Sequence, residues 1–113
     1  MRLAFLLLGL SLSWPALPLS KEAKEFMKII DTLEPVHCEK RKLRRSTALA
    51  EAEQRDDDVR ALRKRFATLD KDPTTAKLEK RLAQLEPILE RSPDPEDLSE
   101  INRQRVEAFY RCQ

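Results

Sequence analysis

Residues 36–69 read VHCEKRKLRRSTALAEAEQRDDDVRALRKRFATL. Val59, Leu62, Phe66 and Leu69 recur at spacings of three and four, the period of one helix face. Upstream the apolar stripe thins to Leu43, Ala48, Leu49 and Ala52, set in dense charge. This pattern predicts a long, shallowly packed helix over about 36–70, coiled-coil-like rather than globular. Asp56, Asp57 and Asp58 are adjacent poor helix formers and mark the place where a break would fall.

The flanking segments carry the same period. Ala23, Phe26, Met27, Ile30 and Leu33 form one face of a helix over about 20–34. Ser20 can cap its start, and Pro35 is expected to end or kink it. Asp72-Pro73 and Asp94-Pro95 each pair an N-cap with a residue suited to the first helical turn. They predict helices over about 73–91 and 95–112. The first carries Leu78, Leu82, Leu85 and Leu89, with Pro87 expected to bend it. The second places Leu98, Ile101, Ala108, Phe109 and Cys112 on one side. No stretch alternates as a strand does.

Residues 1–20, MRLAFLLLGLSLSWPALPLS, have the layout of a cleavable signal peptide. Arg2 supplies the positive start, and the apolar run from Leu3 to Trp14 is shorter than the roughly 20 residues that span a bilayer. Cleavage is expected after Ser20, which makes residues 21–113 a single helical domain in the periplasm or extracellular space. Losing Arg2 would leave 21 basic and 20 acidic residues, so net charge points to neither nucleic acid nor an acidic substrate. No nucleic-acid partner is expected.

A domain this small gains from a covalent staple. Its two cysteines, Cys38 and Cys112, are an even pair in an exported chain and are expected to form a disulfide. The helix over 36–70 would span roughly 50 Å, and the last two roughly 27 Å each. If the long helix is unbroken, Cys112 reaches Cys38 only when the last two helices run the same way along it. The expected fold is therefore an elongated all-α helical hairpin with a jointed second arm and one Cys38–Cys112 disulfide. The first helix would cross the stapled end. In this arrangement the acidic segments 51–58 and 94–100 would face each other.

The only glycine, Gly9, lies in the leader. Phosphate-cradling loops, dinucleotide turns and nucleophile elbows depend on glycine, so no cofactor and no enzymatic activity are expected. His37 and Cys38 are adjacent on a helix and point about 100° apart, which suits a structural cystine better than a nucleophile and base. There is no Cys-x-x-Cys, and the three Cys and His residues are too few for a closed zinc site. Acidic runs at Glu53–Asp58 and Asp94–Glu100 lack the calcium-loop pattern and read as solvated faces. No catalytic or metal residue is assigned.

Two binding surfaces are candidates. Phe26, Met27, Ile29, Ile30 and Leu33 offer more apolar surface than a thin hairpin covers, and suit a protein partner or a dimer seam unless they complete the core. Lys40, Arg41, Lys42, Arg44 and Arg45 form a basic block that suits an anionic envelope surface of lipid or polymer. The expected function is that of a small exported, non-catalytic binding protein, an adaptor, chaperone-like or assembly factor acting on a protein partner. The alternatives are a binder of anionic lipid or polymer, and a disulfide-linked homodimeric coiled-coil envelope protein.

Overall fold

The computed structural model of the chain describes residues 19–91 and 94–113. Residues 1–18 lie outside them, and with those residues nearly all of the expected leader. The described chain is an elongated all-α hairpin bundle with a jointed second arm and one disulfide. Its helices are α1 (Lys21–Ala52), α2 (Asp56–Lys71), α3 (Pro73–Glu90) and α4 (Pro95–Arg111).

The corner of the hairpin falls at residues 53–55, within the stretch predicted as one helix. Gln54 adopts φ 57°, the left-handed conformation. The Gln54 amide donates to the Glu51 carbonyl, and the Arg55 amide donates to the Ala50 carbonyl. This pair of bonds closes a helix C-terminus on a left-handed residue, a place usually filled by glycine. With no glycine at hand, Gln54 takes it. Asp56, Asp57 and Asp58 then occupy the first turn of α2. There their charge complements the helix dipole, so residues unfavourable in mid-helix become favourable.

Pro35 does not end the first helix; α1 runs through it for 32 residues, roughly 48 Å. Pro35 is exposed, so the lost hydrogen bond and the ring face solvent. Buried neighbours on both sides, Leu33 and Lys40, tie the two halves to the rest of the bundle. Pro87 is likewise exposed within α3. The expected separate helices over 20–34 and 36–70 are thus replaced by one helix ending at Ala52 and a second starting at Asp56.

After the corner, α2 returns along the C-terminal half of α1, where Arg65 of α2 reaches Glu39. Asp72 forms the joint. Its backbone closes α2, and its carboxylate accepts from the Thr75 amide at 3.0 Å to start α3. α3 continues along the N-terminal half of α1 and pairs Arg81 with Glu25. α4 then reverses and lies parallel to α1. Ser20–Asp97, Gln104–Met27, Gln104–Asp31, Arg111–Glu34 and Cys38–Cys112 keep sequence offsets of 73 to 77 residues, the signature of parallel register. The last two helices therefore run in opposite directions, contrary to the expected topology. The staple still closes because α1 runs on through Pro35, which puts Cys38 in mid-helix, where α4 arrives after doubling back from the Ser20 end. The first helix does not cross the stapled end, since it is the start of α1. The acidic segments expected to face each other sit at opposite ends, one at the corner and one beside Ser20.

The core lies between the N-terminal half of α1, α3 and α4. Ala23, Phe26, Ile29, Leu33, Leu85, Leu89 and Ile101 form its buried cluster, and Leu19 packs against it. The α1–α2 ribbon is thinner, with Leu43, Ala50 and Val59 as its buried apolar residues. Leu19 thus touches the core, and the Ser20 hydroxyl caps α1.

Candidate functional site

Where α1, α3, α4 and the end of α2 meet, a cleft of about 600 Å³ opens to solvent. Phe26, Ile30, Leu82, Ala108 and Phe109 supply its apolar lining. Its basic side chains are Lys40, Arg41, Arg44 and Arg105. Each helix delivers its share through the 3.6-residue period. The α1 side chains at 26, 30, 37, 41 and 44 follow one face, and Arg105, Ala108 and Phe109 do the same on α4.

Three of these arginines stack on aromatic rings. Arg41 lies 5.3 Å from the Phe109 centroid, Arg44 5.1 Å from Phe66 and Arg105 5.3 Å from Phe26. Among the described residues, none of the three has a carboxylate within ion-pair distance. Stacking holds a guanidinium by its face and leaves its N–H edge to meet an acceptor.

The carboxylates in the cleft are mostly engaged. Glu34 binds Arg111, whose hydrogen bond holds the Glu34 carboxyl below its ordinary range. Asp70 and Glu79 bind Lys40 Nζ at 2.8 and 2.9 Å. Burial pushes the Lys40 ammonium down, but the hydrogen bonds it donates to Asp70 and Glu79 outweigh it and raise its pKa. The Lys40 hydrogen bond in turn lowers Asp70. His37 Nε2 lies 3.3 Å from Glu79 Oε1. Glu86, on the α3 wall, is the remaining acidic side chain of the cleft.

The cleft continues onto an exposed face of α4. Phe109 and Tyr110 are 59% and 70% exposed and meet edge to face, with ring centroids 5.7 Å apart. Val106, one turn earlier, is also exposed. Arg41 and Arg45 border this pair beside the disulfide.

The structure separates the expected site residues. Phe26, Ile29 and Leu33 are buried in the protein's own core. Met27 and Ile30 are half-buried, and Ile30 with the edge of Phe26 faces the cleft. Within the basic block, Lys40 is only 5% exposed and its charge is used internally, which removes it from any anionic surface. Lys42, Arg44 and Arg45 are exposed and Arg41 is half-buried. Cys38 and Cys112 form the expected disulfide, with Cα atoms 5.5 Å apart, so neither is a free thiol beside His37.

Sequence reasoning missed Arg105, Val106 and Tyr110, and it placed Leu98 and Phe109 on the core side of α4. Leu98 and Phe109 are exposed, while Asp97, Ile101, Gln104 and Ala108 form the buried face. The available signal was angular: at 100° per residue, Val106 and Tyr110 lie more than 100° around the helix from Ile101 and Ala108.

Among the described residues, no group of His, Cys, Asp and Glu side chains is arranged to hold a metal ion. Within the acidic runs, Asp58 binds Arg55, Asp57 binds Arg60, and Glu100 binds Arg103. Among the described residues, no helix is long and apolar enough to cross a membrane. Neither a protein-family model, nor a curated protein, nor a solved structure matches this chain.

Proposed function

We propose that this chain is a small exported, non-catalytic helical binding protein that acts as an adaptor, chaperone-like or assembly factor on a protein partner. The observation that carries this reading is the exposed apolar face of α4, where Val106, Phe109 and Tyr110 run into an open cleft floored by Ile30 and Leu82. Exposed aromatics beside arginines are the residue types enriched where proteins meet. The leader pattern supports export, and a closed cystine is what an oxidising compartment favours.

The test is crosslinking of the exported protein in its native envelope, comparing the wild type with a Phe109→Ala/Tyr110→Ala variant. Both side chains are mostly exposed, so the variant should fold and keep its disulfide. Discrete crosslinked species that disappear with the variant support the reading. Species unchanged by it, or none at all, overturn it.

A second reading rests on Lys42, Arg44 and Arg45, which face solvent without a carboxylate in ion-pair reach among the described residues. It makes the chain a binder of anionic lipid or polymer. Binding to anionic vesicles that collapses with added salt and with Ala at these positions supports it.

A further inference from the structure

We infer that the cleft takes an acidic amphipathic helical segment of the partner protein, with its carboxylates on Arg41, Arg44 and Arg105. This rests on the proposed role as a protein-binding module and names the chemistry of what is bound.

Charge complementarity carries the choice of occupant. A stacked guanidinium with no carboxylate in reach keeps most of its hydrogen-bonding capacity. Arg41, Arg44 and Arg105 are all of this kind and converge on one cleft. On the α1–α4 side the one acidic group, Glu34, is held by Arg111, while Lys40 pairs with both Asp70 and Glu79 across the cleft and offsets one of those two charges. The cleft wall formed by α1 and α4 is therefore basic towards a ligand. The opposite wall, from the end of α2 and from α3, is acidic, with Asp70, Glu79 and Glu86.

Shape favours a helix. The cleft follows α1 from Phe26 to Arg44, roughly 27 Å of helix axis, or about five turns. It is a groove open to solvent, so an isolated lipid chain would be left partly in water. An amphipathic helix can bury its apolar stripe on Ile30, Leu82 and Phe109 and keep its own polar back outward. Acidic residues along one flank of that stripe would meet the arginines. Such bonds between a carboxylate and a guanidinium are charge-assisted and among the stronger ones available.

The test uses the oxidised protein and two labelled peptides in fluorescence anisotropy. Both are amphipathic helices with a leucine stripe; one has glutamates flanking the stripe, and the other has glutamines in their place. The glutamate peptide should bind at least about tenfold more tightly than the glutamine peptide. Arg41→Gln with Arg105→Gln should abolish that preference. Glu86→Gln should strengthen glutamate-peptide binding, and the distant Lys24→Gln should leave it unchanged. Equal affinity for the two peptides overturns the inference, as does a preference that survives loss of both arginines. So does binding to anionic phospholipid vesicles with no binding to either peptide. If crosslinking still depends on Phe109 and Tyr110 in any of those cases, the inference fails and the protein-binding role stands. If that dependence is also lost, both fail.

Discussion

The buried Asp97 carboxylate takes both of its hydrogen bonds from one residue: the Ser20 amide at 3.0 Å and the Ser20 hydroxyl at 2.6 Å. The same hydroxyl accepts from the Ala23 amide and so caps α1. One serine thus starts the first helix and holds the start of the last against it.

Ser20→Ala removes the cap and one of the two donors to a carboxylate with 0% exposure. The expected loss is about 2 kcal/mol of unfolding free energy, read by urea denaturation. A chain shortened to begin at Lys21 loses both donors and should be weaker still. If the shortened chain is as stable as the one that keeps Ser20, this anchor contributes nothing.

Gln54 holds the left-handed position of the corner, at φ 57°. An L-residue with a Cβ is disfavoured there by roughly 1–2 kcal/mol relative to its normal helical conformation. Gln54→Gly should therefore stabilise the protein by about 0.5–1 kcal/mol once the extra freedom of glycine in the unfolded chain is counted. An upward shift in denaturation midpoint without a change in slope would show it; a downward shift would contradict this account of the corner.

The disulfide closes a sequence separation of 74 residues. Chain entropy sets its contribution at roughly 4 kcal/mol, mostly by restricting the unfolded state. Cys38→Ser with Cys112→Ser should lower stability by an amount approaching that. Intact mass with and without reductant should differ by two hydrogens in a monomer. A mass of twice the chain before reduction would instead show a link between chains.

The pH dependence follows from Lys40, Asp70, Glu25 and Glu34. Hydrogen bonds from Lys40, Arg81 and Arg111 hold Asp70, Glu25 and Glu34 below their ordinary carboxylate values. Their stabilisation is present above the unfolded-state pKa, about 4, and is lost as pH falls through the lower folded value. Lys40 is raised, so its contribution is present below the usual lysine pKa of about 10.4 and disappears above it. Stability should be flat through neutrality and fall at both extremes. A maximum confined to a narrow band near pH 7 would contradict these assignments.

Lys40 also separates two kinds of substitution. Lys40→Met keeps the packed stem, and the exposed Asp70 carboxylate returns to water, so the change should stay within about 1 kcal/mol. Asp70→Asn with Glu79→Gln leaves a buried ammonium without a counterion and should cost about 3 kcal/mol. Equal losses from the two variants would show that Lys40 is solvated rather than held by its partners.

Helical identity and helix starts were legible in the chain. Ser20, Asp72 and Asp94 each cap a helix through their side chains, as the N-terminal signals predict. The disulfide pairing followed from there being only two cysteines. The cleft was not legible. Arg41, Arg44 and Arg105 become a site only when α4 lies beside α1, and Arg105 is 61 or more positions from the other two. The burial of Phe26, Ile29 and Leu33 likewise depends on Leu85, Leu89 and Ile101 arriving from distant segments.

Taken alone, the order of residues determined that the chain is helical, where three of its helices begin and which sulfurs join, because caps and periodicity act within a turn or two. Tertiary packing decided that α1 passes through Pro35, that the chain doubles back at Gln54 and that α4 runs parallel to α1. Each of those choices trades a local penalty against burial gained between segments tens of residues apart, and no local pattern encodes that balance.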